Sequence, residues 1–204
     1  MKYRLVVTAI LLFAAMSPFA LAKPDKTIAN LKDAIKGETT ASAKYSAYAK
    51  KARQEGFSKI AVLFEAASKS EGMHAANHRA VLEDMGGSLG EIKTEYNVKS
   101  TKENLEDAIK GESYEVATMY PDFLKTAASE KANLASISMN YAYRTEKRHK
   151  VLYEAALKAL SSRKESTLSG QFAICPTCGN TYEANVPNRC GICITGKDRF
   201  LTVK

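Results

Sequence analysis

Two short motifs in this 204-residue chain have the composition of metal ligands: Glu71-x-x-His74 and Glu146-x-x-His149. On a helix, residues three apart project from one face, so each motif offers a carboxylate and an imidazole to a single ion. Each follows a copy of one peptide, Asn-Leu-x-Asp-Ala-Ile-Lys-Gly-Glu, first at Asn30–Glu38 and again at Asn104–Glu112. The closing glutamate precedes the glutamate of the motif by 33 residues in the first half and by 34 in the second. One such motif arises easily by chance on a solvated helix face; two matched copies inside a repeat do not. Two lone glutamates and two Glu-x-x-His motifs, projecting inward from four helices, are the provision for a di-iron or di-manganese carboxylate centre.

A second constellation lies near the C-terminus, where Cys175-x-x-Cys178 and Cys190-x-x-Cys193 account for all four cysteines. Paired Cys-x-x-Cys arms place four sulfurs around one point, a tetrahedral set suited to zinc or to a single iron. Two disulfides are the competing reading in an oxidising compartment, and the spacing favours the metal. Alone, the module reads as a structural zinc ribbon. Beside a two-metal redox site, an iron that passes single electrons is the expectation. Gly179 can take the positive φ that a metal knuckle needs, whereas the second arm carries Ile194 at the matching place. Phe172, Tyr182 and Phe200 are expected to form a small aromatic core, and so small a module should depend on its metal to fold.

The elements that must position these groups follow from apolar spacing. Ile28, Leu31, Ile35, Glu38, Ser42, Tyr45, Ala49 and Ala52 mark the seam of a first helix over about 27–55, ended by Gly56. A second helix covers about 57–85, and residues 86–103 form a long crossover. A third runs over about 102–128, where Pro121 should kink it or mark a bulge. A fourth covers about 131–161. Glu38, Glu71, Glu112 and Glu146 all sit on these apolar seams. Buried there as unpaired carboxylates they would cost several kcal/mol each, so a cation is required among them. The domain plan is a signal segment (1–22), a four-helix bundle (23–161), a polar linker (162–171) and a tetracysteine module (172–204).

The signal reading rests on a basic start, an apolar run over 5–16 and an Ala-x-Ala ending at Ala22, too short to span a bilayer comfortably. It implies an exported, periplasmic protein that is not held in a membrane after cleavage; a retained membrane anchor is the alternative reading. Removing the segment lowers the formal charge from +8 to +6. The remaining lysines are interleaved with acids along helices, which reads as solvated faces and not as a nucleic-acid footprint.

The repeat is imperfect. Three residues after Glu112 stands Glu115, where the first copy has Ala41. Five glutamates against two ferrous ions keep the site near neutrality. His78, one turn beyond His74, reads as a supporting or core histidine, since a full ligand set exists without it.

Gly37-Glu38, Glu71-x-x-His74, Gly111-Glu112-x-x-Glu115, Met119-Tyr120-Pro121 and Glu146-x-x-His149, followed by the two cysteine arms, resemble the rubrerythrin family over residues 27–203. The resemblance implies an all-α ferritin-like four-helix bundle with a small C-terminal rubredoxin-like β domain. It also implies two bundle irons and one tetracysteine iron, with zinc possible at the cysteines. Glu38, Glu71, Glu112, Glu115, Glu146 and His149 would ligate iron, Glu115 would exchange with His74 as the redox state changes, and Tyr45 and Tyr120 would lie beside the centre. The implied activity is reduction of hydrogen peroxide, with re-reduction through the cysteine iron. A homodimer and an unidentified extracytoplasmic electron donor are expected with it. A ferroxidase and a redox-silent metal-binding protein with a zinc knuckle are the alternatives.

Overall fold

The computed structural model describes residues 24–183 and 185–204; the expected signal segment lies outside them. The apolar seams become helices α1 (Asp25–Gln54) and α2 (Ser58–Asp84), an antiparallel pair. Gly56 turns the chain between them at φ +86°, a conformation that costs a side-chain-bearing residue. Residues 85–100 then cross over without regular structure. Ser100 opens the next rod with a capping box: it accepts from the Glu103 amide, while the Glu103 carboxylate accepts from the Ser100 backbone. At the opposite end of the bundle, Glu130 accepts from the amide and hydroxyl of Thr27 (2.8 and 2.7 Å), serving donors that α1 leaves free.

The third rod, expected over 102–128 with a kink or bulge at Pro121, carries that bulge as a π turn. The rod is α3 (Thr101–Tyr114), a π turn (Glu115–Met119) and α4 (Tyr120–Ser129), with the Tyr120 amide donating to the Glu115 carbonyl five residues back. Pro121 gives part of the reason. In a regular helix its ring would meet the Ala117 carbonyl and leave a bond unmade, and a widened turn just before it removes that conflict. The repeat gives the rest, because the second half holds one residue more than the first. Tyr45 follows Glu38 by seven residues and Tyr120 follows Glu112 by eight. Eight α-helical residues overshoot two turns by about 80°, and absorbing one residue in the π turn brings Tyr120 back to within about 20° of Glu112.

Helix α5 (Asn133–Ser161) completes the bundle. The core has two parts. One gathers Tyr45, Tyr48, Phe64, Leu105 and Tyr153; the other gathers Ile28, Leu31, Ile35, Leu82, Tyr120 and Met139. Among the described residues no helix is long and apolar enough to cross a membrane.

A three-stranded antiparallel sheet, β1 (Phe172–Ile174), β2 (Thr181–Tyr182) and β3 (Leu201–Val203) in the order β2-β1-β3, supports the cysteines. The three aromatics expected to form this module's own core are divided between it and the bundle. Tyr182 and Phe200 stack at 5.5 Å beside the cysteines, but Phe172 packs with Ile174 and Val203 into the bundle core. A sheet this small has too little apolar surface to enclose a phenylalanine, so it uses the face of the bundle instead.

Candidate metal centre

Tyr45 and Tyr120 show how the repeat builds the site. Tyr45, from the first half, donates to Glu112 Oε1 of the second at 2.7 Å; Tyr120, from the second half, donates to Glu38 Oε1 of the first. Both tyrosines are buried, and burial, reinforced by the neighbouring carboxylates, raises both pKa values well above the usual phenol range. They therefore remain donors. Each lone glutamate is held by one oxygen, with the other left for a different partner.

Two donor clusters form between the tyrosines. Glu38, Glu71, His74 and Glu146 make one, Glu71, Glu112, Glu146 and His149 the other, with ligand atoms within 4.8 Å of one another in each. Glu71 and Glu146 belong to both, as bridging carboxylates between two ions would. His74 Nδ1 lies 2.9 Å from Glu71 Oε2 and 2.8 Å from Glu146 Oε1, and His149 Nδ1 lies 3.0 Å from Glu71 Oε1. These atoms are close without being aligned. Glu38 Oε2, both oxygens of Glu71, His74 Nδ1 and Glu146 Oε1 are buried with no hydrogen-bond partner among the described residues. Stranding such groups is costly, so their convergence on common points suits cations.

The far sides of the two imidazoles support the same reading. His74 Nε2 is 3.1 Å from the Cys178 carbonyl oxygen, and His149 Nε2 is 2.9 Å from Thr181 Oγ1. A carbonyl only accepts, so His74 Nε2 carries the proton. In the neutral ring, Nδ1 then points a bare lone pair at three carboxylates, an arrangement that a metal ion resolves. Without a metal, protons take its place. Burial raises Glu38 to about 7, and burial followed by repulsion from Glu146 and Glu71 lifts Glu112 well above the usual carboxylate range. Burial favours neutral imidazoles, but Glu146 and Glu38 drive the His74 pKa well up, and Glu71 and Glu146 raise His149 to about 10.

Glu115 stands apart from both clusters. It is partly buried at the first position of the π turn, and burial together with Glu38 and Glu112 lifts its pKa well above normal. The structure thus places His74, and not Glu115, among the converging ligand atoms. His78 is fully buried and also stands outside both clusters.

The four cysteines form a third cluster. Cys175 Sγ–Cys193 Sγ is 3.4 Å and Cys178 Sγ–Cys190 Sγ is 3.5 Å, and all four thiols are free. A disulfide needs about 2.05 Å. Sulfurs at the corners of a tetrahedron with 2.3 Å metal bonds stand roughly 3.8 Å apart, near what is seen. The two knuckles are alike: the Gly179 amide donates to the Cys175 carbonyl (2.9 Å), and the Ile194 amide to the Cys190 carbonyl (3.0 Å). Gly179 has φ +79° and Ile194 φ +66°, so isoleucine occupies the left-handed position where glycine was the expected residue. Gly179 also packs directly onto His74 and Ser70, where a Cβ would collide; Ile194 faces solvent. The sequence carried no signal for the contacts of Cys178 and Thr181 with the histidines.

A family model described as rubrerythrin matches residues 29–157. Nigerythrin of Nitratidesulfovibrio vulgaris (strain Hildenborough) is 35% identical over 175 residues, 85% of this chain and 85% of that protein. Rubrerythrin-2 of Clostridium acetobutylicum is 34% identical over 172 residues, 83% of this chain and 92% of the relative. Among solved structures, nigerythrin in its fully reduced, all-ferrous state superposes with a TM-score of 0.79 at 32% identity, covering 99% of this chain and 100% of that one.

Proposed function

This chain belongs to the rubrerythrin family, a di-iron oxidoreductase of oxidative-stress defence with a ferritin-like bundle and a rubredoxin-like cysteine site, and from that footing we propose that it reduces hydrogen peroxide to water. The observation that carries this reading is the seating of the cysteine module on both metal-facing histidines, through the Cys178 carbonyl and Thr181 Oγ1. A store that only accumulates iron has no use for an electron carrier placed against its ligands.

Glu38, Glu71, His74 and Glu146 would hold one iron and Glu71, Glu112, Glu146 and His149 the other, with Cys175, Cys178, Cys190 and Cys193 holding the third. Bound there, two ferrous ions supply Lewis acidity and the two electrons that peroxide reduction consumes. The chain does the rest. Tyr45 and Tyr120 orient Glu112 and Glu38 by hydrogen bonds, and the apolar groups on either side exclude water. Glu115 is the carboxylate that would exchange with His74 at a loaded centre, and the π turn beneath it would supply the slack for that movement. Such an exchange would break the hydrogen bond from His74 Nε2 to the Cys178 carbonyl, a contact that the seated module supplies.

Export by a cleaved signal, a homodimer and an extracytoplasmic electron donor belong to the same proposal. The cysteine knuckle touches the bundle of its own chain through Ser70 and His74. Rapid mixing of the anaerobically reduced, iron-loaded protein with hydrogen peroxide tests the reading. Oxidation far faster than that of free ferrous iron, with three irons per chain and no further accumulation, is expected. A rate no faster than free ferrous iron overturns it.

A further inference from the structure

His78 lies on α2, one turn beyond His74, fully buried and a member of neither metal cluster. Its Nδ1 is 2.7 Å from Ser138 Oγ on α5, and its Nε2 is 3.1 Å from the Tyr120 hydroxyl. Tyr120 in turn donates to Glu38 Oε1. Counting donors fixes the direction of this chain. The single Tyr120 proton is committed to Glu38, so the contact with His78 is an Nε2–H donated to the phenol oxygen. A neutral imidazole carries one N–H, which leaves Nδ1 bare to accept from the Ser138 hydroxyl. Burial lowers the His78 pKa below its ordinary value, consistent with a neutral ring. Each O–H and N–H from Ser138 inward therefore points toward the carboxylate.

Among the described residues the other half of the repeat shows no such chain. Tyr153 follows Glu146 by seven residues, as His78 follows Glu71. Among the described residues its hydroxyl meets no well-aligned hydrogen-bond partner, and its ring packs edge-on against Tyr45 at 5.5 Å. The Tyr45–Glu112 bond thus ends among aromatic rings, whereas the Tyr120–Glu38 bond continues to Ser138, which keeps 4% of its surface exposed.

We propose that Ser138, His78 and Tyr120 form a one-sided proton relay that delivers a solvent proton to the Glu38 edge of the centre, with His78 as its positioning residue. The proposal rests on the peroxidase reading, because reducing peroxide to two waters consumes two protons as well as two electrons. In the relay, Glu38 receives the Tyr120 proton, the phenolate oxygen takes Nε2–H from His78, Nδ1 takes the Ser138 proton, and solvent reprotonates Ser138. One proton is delivered, and every member ends neutral. His78 is left in its other tautomer, and the chain resets by tautomer exchange and rotation of the two hydroxyls.

Two measurements test this. Nitrogen-15 NMR of histidine-labelled, zinc-loaded protein at neutral pH should show His78 as the neutral Nε2–H tautomer; an Nδ1–H tautomer reverses the donor order and overturns the relay. Stopped-flow oxidation of the reduced, iron-loaded protein by hydrogen peroxide, in H2O and D2O, then compares wild type with His78→Gln and Ser138→Ala. Glutamine fills similar space and can still donate to Tyr120, but it cannot pass a proton on. We expect His78→Gln to slow oxidation at least ten-fold with iron content unchanged, and Ser138→Ala to slow it less. Both should show an altered solvent isotope effect. A fast wild type matched by an equally fast His78→Gln sinks the relay alone. A wild type no faster than free ferrous iron sinks the peroxidase reading, whatever the variants do.

Discussion

Gly179 and Ile194 occupy equivalent places in two near-identical knuckles, yet only one of them has to be glycine. The left-handed backbone costs a side-chain-bearing residue roughly 1–2 kcal/mol, which the fold tolerates at the solvent-facing Ile194. At Gly179 the cost is steric, because His74 and Ser70 fill the space that a Cβ would take. Gly179→Ala should therefore destabilise the metal-loaded protein by about 2 kcal/mol or more and break the contact between His74 and the Cys178 carbonyl. Ile194→Gly should be neutral to about 1 kcal/mol stabilising, relief of backbone strain being partly offset by a more flexible unfolded chain. Denaturant melts of the two variants, compared with wild type, check both. The same pair shows how far a local pattern reaches: the missing glycine in the second arm was visible in the sequence, but the reason it is harmless lies in what packs, or does not pack, against each turn.

At the scale of the element, the π turn is where the two halves of the repeat are reconciled. The second half holds one extra residue between its lone glutamate and its tyrosine, and the widened turn absorbs it so that Tyr120 still reaches Glu38. Deleting Ala117 alone should return the rod to α-helical register while leaving Pro121 in a helix interior, at a cost of about 3 kcal/mol. Deleting Ala117 together with Pro121→Ala should recover most of that loss. Both bundle metals should be retained, since Tyr120 would then follow Glu112 at the spacing by which Tyr45 follows Glu38. Thermal melts and metal analysis of the two deletions decide between this account and one in which Pro121 alone causes the turn. The one-residue difference was legible in the spacing of 33 against 34. Its conversion into a π turn, and not a loop or a kink, depended on both flanking helices being held in the bundle.

Over the whole molecule, metal ions and protons compete for the same buried atoms. Burial raises Glu38 from the usual carboxylate value to about 7, and carboxylate neighbours raise His149 to about 10. Groups raised on folding stabilise the fold fully below their unfolded pKa, and that contribution is lost as pH rises through the folded one. Chelated, metal-free protein should therefore lose stability between about pH 5 and 10, by a few kcal/mol. Glu146 has the opposite sign: paired with His74 and His149 it is lowered to about 2, and its contribution disappears only in strong acid. Loading with zinc or ferrous iron should release protons, and the stability it adds should grow with pH over the same window. Melting curves across pH 5–10, with chelator and with metal, test this directly. A chain ending before residue 172 should also melt lower and bind the bundle metals more weakly. It would expose the surface that Phe172, Ile174 and Val203 cover and leave both Nε2 atoms without partners.

What the linear order of residues determined was the inventory: four amphipathic rods, a repeat, the four seam glutamates, two histidines and four cysteines, each set at a spacing that only a metal makes tolerable. Helical and knuckle geometry are local, so spacing alone conveys them. The tertiary structure decided which groups actually meet. It crossed each tyrosine to the other half's glutamate, left Glu115 outside the ligand clusters, drew Phe172 into the bundle and seated the cysteine knuckle on the histidines. Those outcomes depend on how separate elements share buried surface, and no periodicity within one element records its neighbour.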